Sequence, residues 1–178
     1  MIVLGVDPGS LVTGYGVIEI TNGKMKMLAC DAIKNSSATP MPLRLKNIFI
    51  GLSEVVARYR PDQFAIETAF YGKNAQSALK LGHARGAALL AAVTRDIPAS
   101  EYSPREVKKA IVGRGNASKQ QVQYMVKSML RLTTVPRLYD ISDALAVAVC
   151  HLHRTIPRRS AFKSWTAYVA AHPEKIVE

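Results

Sequence analysis

Hydrophobic positions along this chain follow two rhythms, and the changes between them set out the order of elements. Met1 to Val6 is an unbroken apolar run rich in β-branched residues, a buried strand that stops at the turn sequence Asp7-Pro8-Gly9. Gly14 to Ile20 resumes as a second strand, Asn22-Gly23 predicts a hairpin turn, and Met25 to Ile33 follows as a third. Turns this short make the three strands antiparallel. After a Ser/Thr/Pro loop over 35–42 the period lengthens. Leu45, Ile48, Leu52, Val55, Val56 and Tyr59 form one helical stripe within Leu43 to Tyr59, closed by Pro61-Asp62. Gln63 to Glu67 reads as a fourth strand. Asn74 to Thr94, rich in alanine with Gly82 and Gly86, reads as a second helix, and Ile97 to Tyr102 as a fifth strand.

Ser103-Pro104-Arg105-Glu106 puts Ser at a cap, Pro at the first helical position and Glu at the third, so a helix opens there and runs to Val112. Gly113-Arg114-Gly115-Asn116 breaks it. A further helix covers Ser118 to Leu130, with Val122, Val126, Met129 and Leu130 inward. The last helix runs from Asp140 to about Arg154 and is Ala, Leu and Val nearly all round, the mark of a buried element. Three strands, helix, strand, helix, strand and helices describe an α/β fold: a five-stranded mixed sheet flanked by helices. Residues 1–155 make one domain. Residues 156–178 form a basic tail to which the pattern assigns no fold.

Composition changes the picture in one respect. A hydrophobic share of 48% and a charged share of 21% describe an ordinary globular chain, but the net charge of +11 favours a polyanionic partner, nucleic acid first. No apolar run is long enough for a membrane helix and no signal peptide opens the chain, so the expected location is the cytoplasm. Cys30 and Cys150 lie in apolar surroundings without ligand spacing, as buried thiols in a reducing compartment do.

The acids carry the candidate chemistry. Asp7 ends the first strand, Glu67 ends the fourth, and Asp140 and Asp143 open the last helix, three apart and so on one face. If the first and fourth strands are parallel neighbours, Asp7 and Glu67 emerge at the same sheet edge, where open α/β sheets bind ligands. Carboxylates so close raise one another's pKa, and a hard divalent cation removes the conflict. Two such ions beside a polyanion make a phosphodiester hydrolase. Taken singly, each acid has a plainer explanation: an Asx turn at Asp7, a solvated strand end at Glu67, and helix capping by Asp140 and Asp143 at the N-cap and third positions.

These residues also carry a resemblance. Gly5-Val6-Asp7-Pro8-Gly9-Ser10 with Thr13-Gly14-Tyr15-Gly16, Ile66-Glu67 with Phe70, and Asn74 to Gly82 match signatures of the RuvC family, as do Ser103 to Lys109, Val112-Gly113 with Gly115, and Asp140 with Asp143 to Ala146. The chain resembles that family from Met1 to about Arg154. The resemblance implies a ribonuclease H-like fold and a Holliday junction endonuclease. It implies a catalytic set of Asp7, Glu67, Asp140 and Asp143 holding two Mg²⁺, with Mn²⁺ as a substitute. It further implies DNA contacts at Lys108 and Lys119, an aromatic at Phe70 that stacks at the junction, a homodimer, symmetric paired nicks, and the RuvA–RuvB branch-migration complex as partner. Arg114, in its glycine turn, is a candidate phosphate contact on chain position alone.

Two competing readings differ in what they require. The opening Asp7 to Gly16 also looks like the first phosphate loop of actin-like and sugar kinases, but those need a second domain and a second glycine loop for which this chain is too short. A non-catalytic junction-binding protein would keep the basic surface and not need the four acids.

Overall fold

The computed structural model describes residues 1–68 and 75–155. Strand β1 (Ile2–Asp7) shows how the layers arise. Side chains alternate along a strand. Leu4 and Val6 therefore bury on one face with α1 (Met41–Tyr59) and α2 (Ala75–Val93), while Val3 joins the core on the other. That second core belongs to α3 (Pro104–Val112), α4 (Lys119–Met129) and α5 (Tyr139–Thr155). The sheet order is β3-β2-β1-β4-β5, with β2 (Val12–Thr21) and β3 (Lys24–Lys34) antiparallel and β4 (Gln63–Glu67) and β5 (Ala99–Tyr102) parallel to β1. This is the five-stranded mixed sheet expected, with helices on both faces.

Helix α5 is the central element of its layer. Every residue from Ala144 to Leu152 is buried. Its backbone lies almost against the sheet because β1 and β2 present glycines there. A Cβ at Gly5 would overlap the Ala144 carbonyl oxygen and sit 2.7 Å from the Ala148 nitrogen. A Cβ at Gly14 would overlap the Asp140 carbonyl and sit 2.9 Å from the Ile141 nitrogen. These two glycines set how deep the acid-bearing end of the helix can sink.

Several boundaries differ from expectation. Helix α1 starts at Met41, so Pro42 stands inside the first turn, where proline lacks only an amide that has no partner anyway. Strand β5 starts at Ala99 instead of Ile97, because Pro98 has no amide for the ladder; its carbonyl accepts from Phe64 N at 2.9 Å. Helix α5 starts at Tyr139, which puts Asp140 second in the helix and not at the N-cap, and Asp143 beyond the third position. Neither acid is therefore the N-cap, although Asp140 stays in the first turn, where a negative charge suits the positive end of the helix. Helices α3 and α4 both carry complete capping boxes, Ser103 with Glu106 as expected, and Ser118 with Gln121 as well. Cys150 is buried and Cys30 only partly so; both are free thiols. Among the described residues no helix is long and apolar enough to cross a membrane. The tail over 156–178 and Phe70 lie outside the described residues.

Candidate active site

Parallel pairing places Val6 beside Ile66, so the strand-ending acids Asp7 and Glu67 leave the same sheet edge together. On the other side of β1, Asp7 pairs with Gly14, the glycine against the Asp140 backbone. The three acid-bearing segments thus meet through backbone contacts that follow from strand order and two missing methyl groups. Asp7, Glu67 and Asp143 line one cleft of about 270 Å³ with Lys108 and Lys119, and Pro104, Val107 and Val122 form its apolar wall. Asp140 does not line the cavity, but its charge reaches both Asp7 and Asp143.

The cleft holds more negative charge than its cations offset. Burial pushes Asp7 up to about 7, helped by Asp143 and Asp140, against the pull of Lys119. Burial likewise pushes Glu67 up to about 8, with Asp7 and Asp143 adding and Lys119 and Lys108 opposing. Asp143 is raised by burial despite Lys119, whose Nζ donates to its Oδ2 at 3.1 Å. Burial works against the Lys119 charge, but Asp143, Asp7 and Asp140 together hold its pKa above the ordinary value. The Lys119 ammonium also lies 5.8 Å from the centre of the Tyr139 ring.

This set of oxygens suits a hard divalent cation better than a proton or a lone lysine. Among the described residues no group of three or more His, Cys, Asp or Glu side chains is placed so that it could hold a metal ion by itself. Mg²⁺ ordinarily takes one or two carboxylates, keeps several waters and is completed by substrate phosphate.

The metal-free site has a signed pH signature. A carboxyl whose pKa is raised by folding binds its proton more tightly in the native state, so its contribution to stability falls as pH climbs. The window runs from the ordinary values of 3.8 and 4.5 to the raised ones, about 7 and about 8. In chelator, Glu67→Gln should melt above wild type at pH 9, and the gap should shrink as pH falls through the window and close near 4.5. A gap independent of pH would show that Glu67 carries no burial strain.

The expected DNA contacts separate. Lys108 and Lys119 line the acid cleft, whereas Arg114 is exposed in the α3–α4 turn and does not. Reading the sequence also missed a polar network behind the site. Tyr102 is the partner of Glu67 in the sheet, and its hydroxyl lies 2.8 Å from His151 Nδ1. His151 Nε2 meets Gln63 Oε1, which only accepts, so Nε2 carries the proton and Nδ1 accepts from Tyr102. Burial lowers the His151 pKa and favours this neutral form. Arg154 lies 5.5 Å from the Tyr102 ring centre and pairs with Glu106 Oε1 at 2.6 Å, tying α5 to the capping box of α3. His151 shows no ligand spacing in the sequence, and its partners stand 49 and 88 positions away.

The family model described as "Crossover junction endodeoxyribonuclease RuvC" matches residues 3–151. A crossover junction endodeoxyribonuclease RuvC of Salinibacter ruber is 43% identical over 179 residues, covering 100% of both chains. That of Shewanella pealeana is 53% identical over 152 residues, 85% of this chain and 87% of the relative. Among solved structures, "T. thermophilus RuvC in complex with Holliday junction substrate" is similar with a TM-score of 0.82 and 36% identity, covering 87% of this chain and 94% of that one.

Proposed function

The chain belongs to the RuvC family of crossover junction endodeoxyribonucleases, and from that premise we propose how its own residues carry out the reaction. The protein is a Holliday junction resolving endonuclease with a ribonuclease H-like fold, it binds four-way DNA junctions, and it uses a divalent metal.

The proposed catalytic set is Asp7, Glu67, Asp140 and Asp143, holding two Mg²⁺ per subunit, with Mn²⁺ as a substitute. The observation that carries it is the uncompensated charge of the cleft: burial and neighbouring acids raise Asp7, Glu67 and Asp143 in spite of Lys119 and Lys108. When bound, such ions supply the positive charge that activates a water and stabilises the leaving oxygen of a phosphodiester. The side chains do the rest. Asp7 and Glu67, fixed on neighbouring strand ends, are a rigid pair of donors. Asp140 and Asp143 approach from the first turns of α5. Lys119 orients Asp143 and, with Lys108, offers charge to a phosphate entering the cleft. Val107, Val122 and Pro104 keep one wall dry, so each charge acts more strongly. Phe70 is proposed on the resemblance alone as the aromatic that stacks at the junction, and Arg114 as an outlying phosphate contact. The test is direct: a four-way junction should receive paired symmetric nicks in Mg²⁺ and none in excess chelator. Nicking that persists in chelator overturns the metal assignment.

A homodimer belongs to the same proposal, and α2 is the surface that supports it. Leu79, Leu90 and Val93 are 60%, 55% and 54% exposed and share a helix face with Gly82 and Gly86, where an added Cβ would meet nothing among the described residues. An uncovered apolar stripe with small residues fits a second copy of the same helix. Leu90→Glu should lower the mass seen by light scattering to that of a monomer and remove paired nicking; a dimer that survives places the contact elsewhere. The RuvA–RuvB complex as partner and the cytoplasm as location complete the proposal.

A further inference from the structure

Helix α4 starts in the active cleft, where Lys119 and Val122 line the wall. Its inward side is fixed by Val122 and Val126, which are buried, and by Gln123, whose Nε2 donates to Ser142 Oγ at 3.2 Å. The opposite side carries Gln120, Tyr124 and Lys127, spaced by four and three and therefore on one face. Tyr124 is 70% exposed, more than any other large hydrophobic residue among those described. Arg131 is exposed just past the helix end, held there by its amide donating to Ser128 O. No acidic residue occurs between Glu106 and Asp140, while seven basic ones do. An exposed aromatic set in a basic stripe that leads away from a phosphodiester-cutting cleft is more than a solvated helix face requires.

We propose that the outer face of α4 is a second DNA contact, a track for the phosphate backbone of the duplex arm that leaves the cleft, with Lys127 and Arg131 as cations and the Tyr124 hydroxyl as a neutral donor. The occupant follows from charge: the stripe is cationic without an acid, and the arm is the polyanion already held at one end. The geometry also fixes how far the track extends. From Lys119 to Lys127 the helix rises about 12 Å, and Arg131 lies beyond it, so the track covers roughly three to five phosphates of one strand at about 3.4 Å of rise each. Phosphate contacts of this kind fix register and orientation and read no bases. Tyr124 stays outside the chemistry, because α4 turns it away from the carboxylates.

The proposal rests on the junction-cleaving reading, and the experiment separates the two. In an Asp7→Asn background, chosen so that the junction stays whole, hydroxyl-radical footprinting should show two protected patches, one at the cut and one about three to five nucleotides further along an arm. Lys127→Ala with Arg131→Ala should erase the second patch and keep the first. The slope of log affinity against log salt should become shallower by about one to two units. Tyr124→Phe should weaken the second patch while leaving the fold intact. As a control, Lys24→Ala with Lys26→Ala removes the same charge from the exposed edge of β3 and should change neither patch nor slope. A second patch that survives the double variant, or a control that flattens the slope equally, overturns the proposal and leaves the catalytic reading standing. Absence of the patch at the cut in the background protein would instead overturn the catalytic reading.

Discussion

Asp7→Asn should bind a four-way junction as well as wild type, cut it at least about 10³-fold more slowly, and melt at a higher temperature without metal. The first two results follow from its place in the proposed donor set. A charge that a metal needs contributes several kcal/mol to the transition state, and each 1.36 kcal/mol is about tenfold in rate. The third follows from the cleft. Asp7 is pushed from 3.8 to about 7 by burial and by two neighbouring aspartates, so keeping it ionised works against folding. Holding the ionised form through that rise would cost about 4 kcal/mol at high pH in a fully dry site. The cleft is partly open to water, which screens the repulsion, so the gain should be about 1–2 kcal/mol, or roughly 3–6 °C in Tm for a chain of this size. Adding Mg²⁺ should raise the wild-type midpoint and leave the variant's almost unchanged. A variant that still cuts, or melts below wild type in chelator at pH 8, would show that Asp7 is neither donor nor strained. The combination is diagnostic, because a residue that only supports the fold loses stability and activity together.

Local chemistry explains which parts of the molecule could be seen in advance. Strand β4 matches the expected Gln63 to Glu67 at both ends because polar residues bracket a short apolar run. Helix α3 matches from Pro104 to Val112 because its cap, proline and glycine stop are all local. Elements that slipped did so where a residue is permissive. Proline is tolerated in a first helical turn, so Pro42 did not mark the end of the loop. An apolar residue before proline looks like strand, so Ile97 was expected in β5 although Pro98 keeps the pairing from starting there.

The site divides in the same way. That acids end two strands is visible in the chain. That those strands are parallel neighbours depends on the sheet order, which no local signal encodes. The charge imbalance in the cleft, the link from His151 through Tyr102 to β5, and the outward setting of Tyr124 all exist only once distant segments have met. Lys108, Lys109 and Arg114 look equivalent in a basic stretch. Helix α3 carries Lys108 into the cleft, whereas Arg114 lies past the end of that helix, in solvent.

Gly14→Ala should cripple cleavage with only a moderate loss of stability, and the reason lies in what its Cβ would meet. The obstacle is the backbone of Asp140 and Ile141, which cannot rotate aside as a side chain would. The first turn of α5 must therefore lift from the sheet, and Asp140 with Asp143 moves away from Asp7 and Glu67. Overpacking of this kind costs about 1–3 kcal/mol. A displacement near 1 Å at a site that depends on position costs about 10²-fold in rate. Gly5→Ala strikes the middle of the same helix, against Ala144 and Ala148, and should lose more stability for a similar loss of rate. Gly23→Ala is the comparison that isolates the cause. Gly23 has φ of 75° in the hairpin turn with nothing among the described residues near its missing Cβ, so alanine there strains the turn without touching α5. It should lower Tm and leave cleavage at the wild-type rate. If Gly14→Ala cuts normally, the carboxylates tolerate a shifted helix, and the account of how the three segments are held together fails; if Gly23→Ala cuts as poorly as Gly14→Ala, loss of stability alone explains both.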